Sequence, residues 1–173
     1  MATERKDAIT FRSNPLTLIG PEIKPGNPAP DFSVTAEDLS PAGLKDFQGK
    51  TILISVVPSL DTPVCDMQTR KFNQAVGNLP GDFSALTISM DLPFAQKRFC
   101  STAGIEKIRV FSDHKDASFG TAYGVLIKEL RLLTRAVFVI GRDGKVRYAE
   151  YVKEITEPPD YEKALQALKA ALG

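Results

Sequence analysis

Two cysteines, Cys65 and Cys100, are the side chains of this chain best suited to covalent chemistry. Cys65 ends the run Pro58-Ser59-Leu60-Asp61-Thr62-Pro63-Val64-Cys65. Pro63 suits the first position of a helix, where its missing N–H is not needed, and Thr62 before it is a good N-cap. Cys65 then falls in the first helical turn. Unpaired backbone N–H groups and roughly half a positive charge there favour an anion. A thiolate is such an anion, and it is the reactive form of cysteine. The same place also suits an inert thiol. Cys65 projects onto the flank of the helix's apolar side, where a cysteine often serves as a small buried hydrophobe.

The neighbouring residues add to the reactive reading. Thr62 can aim its hydroxyl at the spot that Cys65 faces, and Pro58 can shield a small pocket. A thiolate beside donors for an oxygen that departs with negative charge is what cleavage of a peroxide needs. Pro58-x-x-x-Thr62-x-x-Cys65 matches the active-site motif of the peroxiredoxins. The longer run Val57–Cys65 resembles the thiol peroxidases, the atypical two-cysteine members of that family. So do Arg70-Lys71-Phe72-Asn73 and Phe94-Ala95-Gln96-x-Arg98-Phe99-Cys100. The resemblance covers nearly the whole chain, and the nine-residue run is specific where a bare Thr-x-x-Cys would be weak.

The resemblance implies a role for each residue. Cys65 is the peroxidatic cysteine, converted to a sulfenic acid by hydrogen peroxide or by organic and lipid hydroperoxides. Thr62 holds peroxide and thiolate by hydrogen bonds, and Pro58 walls the pocket. The family's arginine, which favours the thiolate and the departing oxyanion, falls on Arg135; the residues alone do not separate it from Arg70 or Arg109. Cys100 is the resolving cysteine. It closes a transient Cys65–Cys100 disulfide that thioredoxin reduces, although by residue type alone it reads first as a small residue beside Phe99 in a short amphipathic helix. The resemblance also implies antioxidant defence, a homodimer with its interface near the active-site loop, and no metal or other cofactor.

Several elements must position these residues. Thr51–Val57, nearly all β-branched or apolar, reads as a strand buried on both faces that delivers the chain to the Cys65 helix. That helix is expected over about Pro63–Leu79, with Val64, Met67, Phe72, Ala75, Val76 and Leu79 on its apolar half. Further strands are expected at Asp31–Thr35, Ser84–Ser89, Ile108–Phe111, Ala136–Ile140 and Val146–Tyr151. The last two are joined by a hairpin turn at Gly141-Arg142-Asp143-Gly144. Helices are expected at about Pro93–Thr102, Ser118–Tyr123 and Tyr161–Leu172, the last capped by Asp160. An N-terminal β-hairpin is expected at about 8–20, followed by a Pro- and Gly-rich loop. The order predicts an α/β domain over residues 1–173, with a mixed central sheet, parallel in its first half, flanked by helices. The resemblance implies the thioredoxin-like version of that architecture.

Composition bounds the rest. In 173 residues, 43% hydrophobic and 25% charged, there is enough apolar material for one core. A net charge of +1 without like-charge blocks points away from nucleic acid and membrane surfaces. No apolar run approaches the roughly 18 residues of a membrane span, and the first residues lack the apolar core of a signal peptide; a cytoplasmic protein is expected. One histidine and two cysteines are too few for a four-ligand zinc site unless carboxylates join. His114, in Ser112-Asp113-His114-Lys115-Asp116, reads as a solvated loop histidine. Asp61, an acid near the thiol, disfavours a thiolate. Gln68 and Thr69, one turn beyond Cys65, are placed to orient neighbours. Two other functions fit the scaffold. A thiol–disulfide oxidoreductase would need a Cys-x-x-Cys pair, but Thr62 stands where its first cysteine belongs. A non-catalytic binding module would have no use for Thr62, Cys65 and Cys100 together.

Overall fold

The structure, a computed structural model, describes residues 2–173. The chain opens with a hairpin of Glu4–Phe11 (β1) and Asn14–Ile19 (β2), turning at Arg12 and Ser13, both with positive φ. Short strands Ser33–Thr35 (β3) and Pro41–Gly43 (β4) follow, then a 3-10 turn at Leu44–Phe47 and the strand Thr51–Val56 (β5). The helix Pro63–Gly77 (α1), strand Phe83–Ser89 (β6), helix Pro93–Ala103 (α2) and strand Arg109–Ser112 (β7) complete the parallel part. A short helix, Ser118–Ala122 (α3), leads to the two-residue strands Leu126–Ile127 (β8) and Leu132–Leu133 (β9). Ala136–Ile140 (β10), Val146–Tyr151 (β11) and the helix Tyr161–Leu172 (α4) end the chain.

Seven strands form the main sheet in the order β11-β10-β5-β6-β7-β3-β4. Only β5, β6 and β7 run parallel; the flanking pairs are antiparallel. All six residues of β5 are buried because paired strands lie on both sides and helices or loops cover both faces. One face carries Leu53, Ala85, Val137 and Val139 against α1, α2 and α4. The other carries Ile54, Leu86, Phe111 and Phe138 against α3 and the N-terminal loop, with an aromatic group in which Phe119 stacks on Tyr123 at 4.4 Å.

A second sheet, β1-β2-β8-β9, was foreseen only as its first hairpin. Two or three residues per strand are too few to show a period, so β8, β9 and likewise β4 left no readable pattern. The hairpin leaves through Gly20 and crosses Gly124 at very close range. A Cβ on Gly124, whose φ is +66°, would stand 1.9 Å from Pro21 O, so only glycine permits this crossing. Ile9, Leu18, Ile127 and Ile155 pack together beneath the hairpin.

Two local expectations need correction. Met67, placed on the buried half of α1, is 52% exposed. The buried stripe is instead Cys65, Gln68, Thr69, Phe72 and Val76, turned to include two polar residues because the sheet beneath is itself polar at this end. Thr62 does occupy the N-cap, but its hydroxyl makes no capping bond. Asp160 caps α4 as expected, accepting from Lys163 N at 3.1 Å. Among the described residues, no helix is long and apolar enough to cross a membrane.

Candidate active site

Strand β5 ends at Val56, and Val57 and Pro58 continue it as buried residues. The chain then bends through 58–62 into α1. Asp91, just beyond β6, holds this bend. Its Oδ1 accepts from Ser59 Oγ at 2.8 Å, and its Oδ2 accepts from Leu60 N at 2.8 Å and Ser89 Oγ at 2.7 Å. Pro63 stands at the first helical position, which puts Cys65 in the first turn as the spacing predicts. Cys65 is fully buried, packed with Val57, Leu60 and Val110. Thr62 is exposed, and its hydroxyl donates to Ser59 O at 3.0 Å. Its oxygen lone pairs remain able to accept.

Arg135, immediately before β10, is 2% exposed. The antiparallel register pairs Ala136 with Val56 and so carries Arg135 to the end of β5 where α1 begins. Nε and Nη2 donate to Ile155 O at 3.0 and 2.8 Å. Nη1 donates to Gln68 Oε1 at 2.9 Å and reaches Cys65 Sγ at 3.4 Å. Gln68 is held in turn: Nε2 donates to Ser55 Oγ at 2.7 Å and to Val56 O at 3.4 Å. That fixes the amide with its oxygen toward the guanidinium, since the reverse orientation would set N–H against N–H. Thr69 Oγ1 donates to Cys65 O at 2.9 Å.

The electrostatic consequence is direct. Among the described residues, no carboxylate lies within ion-pair distance of Arg135. A buried cation without an anionic partner is costly, and the one acidic group that its guanidinium touches is the Cys65 thiol. The guanidinium and the start of α1 thus converge on the same sulfur.

Cys100, on the last turns of α2, is half-buried and packs against the apolar group around Cys65. Both thiols are free. Burial, helped by the charge of Glu37, pushes the Cys100 thiol up to about 11. Cys100 also lines a groove of about 340 Å³ with Glu37, Asp38 and Arg109. A separate depression of about 390 Å³ lies at Thr62, Pro63, Asp66 and Phe99. The structure therefore brings together Cys65, Arg135 and the Pro58–Thr62 bend, with Cys100 alongside. Arg70 lies on the exposed side of α1, paired with Asp66, and Arg109 is exposed over the Phe47 and Phe111 rings; among the described residues only Arg135 hydrogen-bonds the Cys65 sulfur. His114 stays apart, half-buried with Nδ1 2.9 Å from Ser112 Oγ. Sequence reasoning did not rank Gln68 and missed Ser55, Asp91 and Ile155. Ser55, polar within a wholly buried strand, was the available signal. The Ile155 contribution is a backbone carbonyl and leaves none.

A model of the redoxin family, described as Redoxin, matches residues 24–165. The chain belongs to the redoxin family. Similar relatives include the thiol peroxidase of Halalkalibacterium halodurans, 62% identical over 95% of this redoxin and 99% of the relative. The thiol peroxidase of Bacillus subtilis is 56% identical over 94% of this chain and 96% of its own. Among solved structures, a peroxiredoxin-like protein from Aquifex aeolicus superposes with a TM-score of 0.89 at 39% identity, covering 98% of both chains. The thioredoxin-like fold that the sequence implies is the fold of this redoxin.

Proposed function

We propose that this redoxin is a thioredoxin-dependent thiol peroxidase that reduces hydrogen peroxide and organic or lipid hydroperoxides. The observation that carries the reading is the buried Arg135 guanidinium, without a carboxylate partner among the described residues, 3.4 Å from Cys65 Sγ at the start of α1. In the proposed step the Cys65 thiolate attacks the terminal peroxide oxygen. An S–O bond forms, the O–O bond breaks, and sulfur is oxidised to the sulfenic acid while the peroxide is reduced. The departing oxygen leaves as an anion, stabilised by Arg135, and takes a proton from water to become water or an alcohol. Thr62 donates to or accepts from the peroxide, and Pro58 excludes water from the pocket.

Cys100 then condenses with the sulfenic acid, releasing water and forming the Cys65–Cys100 disulfide. Thioredoxin, a dithiol, returns both cysteines to thiols and is itself oxidised. Cys65 is sealed from solvent, so peroxide access involves movement at the start of α1 or in α2. We place the protein in the cytoplasm, in antioxidant defence, as one domain over 1–173 that needs no cofactor. The dimer expected near the active-site loop is supported by Leu92 and Phe94, 54% and 69% exposed beside the bend that Asp91 holds.

Peroxide-dependent NADPH consumption through thioredoxin reductase and thioredoxin tests the activity. Cys65→Ser should abolish it, and full activity in that variant would defeat the assignment. Mass spectrometry after one equivalent of peroxide should find a Cys65–Cys100 disulfide in the parent and a Cys65 sulfenic acid in Cys100→Ser.

A further inference from the structure

Arg135 is held from behind by a single atom, the carbonyl oxygen of Ile155, which accepts from both Nε and Nη2. That carbonyl sits in the 152–157 segment between β11 and α4, which belongs to no strand or helix of three residues or more. Its position is set by the N-terminal hairpin. Thr10 N donates to Lys153 O at 2.7 Å, and Ile155 N donates to Thr10 O at 2.9 Å, so β1 continues through Thr10 as a short parallel bridge to Glu154. The Ile155 side chain is buried among Ile9, Leu18 and Ile127 of the hairpin sheet.

Glu154 fastens the join. Its Oε1 accepts from Ser13 N at 2.8 Å and Thr10 Oγ1 at 3.0 Å, both on the hairpin. Its Oε2 accepts from Thr156 N at 3.0 Å and Thr156 Oγ1 at 2.7 Å, on its own segment. One carboxylate thus ties the hairpin turn to both flanks of Ile155. These four donors hold it ionised, its pKa lowered to about 2.

We propose that Glu154 is a positioning residue for the reaction at Cys65, fixing the Ile155 carbonyl against the hairpin so that Arg135 Nη1 is aimed at the sulfur. The chain of contacts runs Ser13 and Thr10 to Glu154, Glu154 to the Ile155 peptide, Ile155 O to Arg135, and Arg135 to Cys65. The hairpin, remote in sequence from both cysteines, becomes part of the support of the site. This inference rests on the reading of Cys65 as the reactive thiol.

The test uses the full chain in a Cys100→Ser background, so that only Cys65 reacts. Two rates are read: sulfenic acid formation with hydrogen peroxide, and alkylation of Cys65 by iodoacetamide across pH 5 to 9. Glu154→Ala should slow the peroxide step by about 10- to 100-fold, the upper end being the loss that a misplacement of about 1 Å can cause, and shift the alkylation profile toward higher pH. Thr156→Val should do the same more weakly, and Thr156→Ser should restore the parent values. In an Arg135→Met background, Glu154→Ala should add no further loss, because the group it aims is gone. Equal fractional losses with and without Arg135, or a Glu154→Ala rate equal to the parent, would overturn the proposal. Rates are taken per folded molecule from a urea titration of each variant, so a loss that follows unfolding alone also counts against it. A parent Cys65 that ignores peroxide but alkylates with the expected Glu154 dependence would sink the peroxidase reading and leave this one standing.

Discussion

At the residue scale, the site is a buried cation waiting for an anion. Arg135 spends its donors on the Ile155 carbonyl, the Gln68 amide and the Cys65 sulfur. Arg135→Met keeps much of the bulk and removes the charge, so it should slow oxidation of Cys65 by peroxide about 100-fold or more, the usual loss for one oxyanion donor. Stopped-flow consumption of peroxide by the reduced protein measures it. Cys100 behaves in the opposite way. Its thiol is pushed up to about 11 by burial and by Glu37, so at neutral pH it is almost wholly protonated, and thiolate is the attacking form. Disulfide closure should therefore accelerate as pH rises from 7 toward 10, while sulfenic acid formation at Cys65 precedes it. Glu37→Gln removes the unfavourable charge and should speed closure about twofold at fixed pH. Quenched-flow mass spectrometry separates the two steps.

At the element scale, the start of α1 is defined by its neighbours as much as by its own residues. Asp91 beyond β6 fixes the bend before it, and Gln68 one turn in is pinned to β5 through Ser55. A comparable device orders α3. Asp113, just beyond β7, accepts from Phe119 N at 3.0 Å and Gly120 N at 2.8 Å. Burial nevertheless outweighs these bonds and raises its carboxyl to about 6. A raised folded value above an unfolded one near 3.8 means stability that is fully present below pH 4 and lost as pH climbs through 6. The stability of the wild type relative to Asp113→Asn should therefore fall by about 3 kcal/mol between pH 4 and pH 7. Urea unfolding of both proteins across that range reads the difference directly, and a flat difference would contradict it.

At the scale of the whole molecule, two sheets meet around one arginine. The main sheet brings Arg135 beside Val56 through the β10–β5 register, and the hairpin sheet grips the segment whose carbonyl holds it. Leu92 and Phe94 leave an apolar rim beside the same bend, and large exposed apolar side chains grouped at a rim mark interaction surfaces. If this rim forms the proposed dimer, Phe94→Glu should shift sedimentation toward the monomer with little change in unfolding free energy per chain. An unchanged association state would place the interface elsewhere.

Sequence patterns were sufficient where a local rule decides the outcome. Pro63 starts a helix because its ring and missing N–H fit only there. Thr51–Val56 is buried because Ile52, Leu53, Ile54 and Val56 set apolar side chains on both of its faces, and Asp160 caps α4 because its side chain reaches the next turn's N–H. The Pro58–Thr62–Cys65 spacing is local too, and so was readable. The apolar half of α1 was misread at Met67, because helix projection assumes an apolar partner, whereas the sheet offers Ser55 and Arg135. Arg135 could not be separated from Arg70 or Arg109 by residue type, since its role comes from strand register over a long sequence separation. Gln68, Asp91 and the Ile155 carbonyl act only through partners distant in the chain. By itself the sequence determined which thiol stands at a helix start and what chemistry that start favours. Only the tertiary structure decided which cation faces that thiol and what holds it there, because both follow from non-local pairing that no spacing along the chain records.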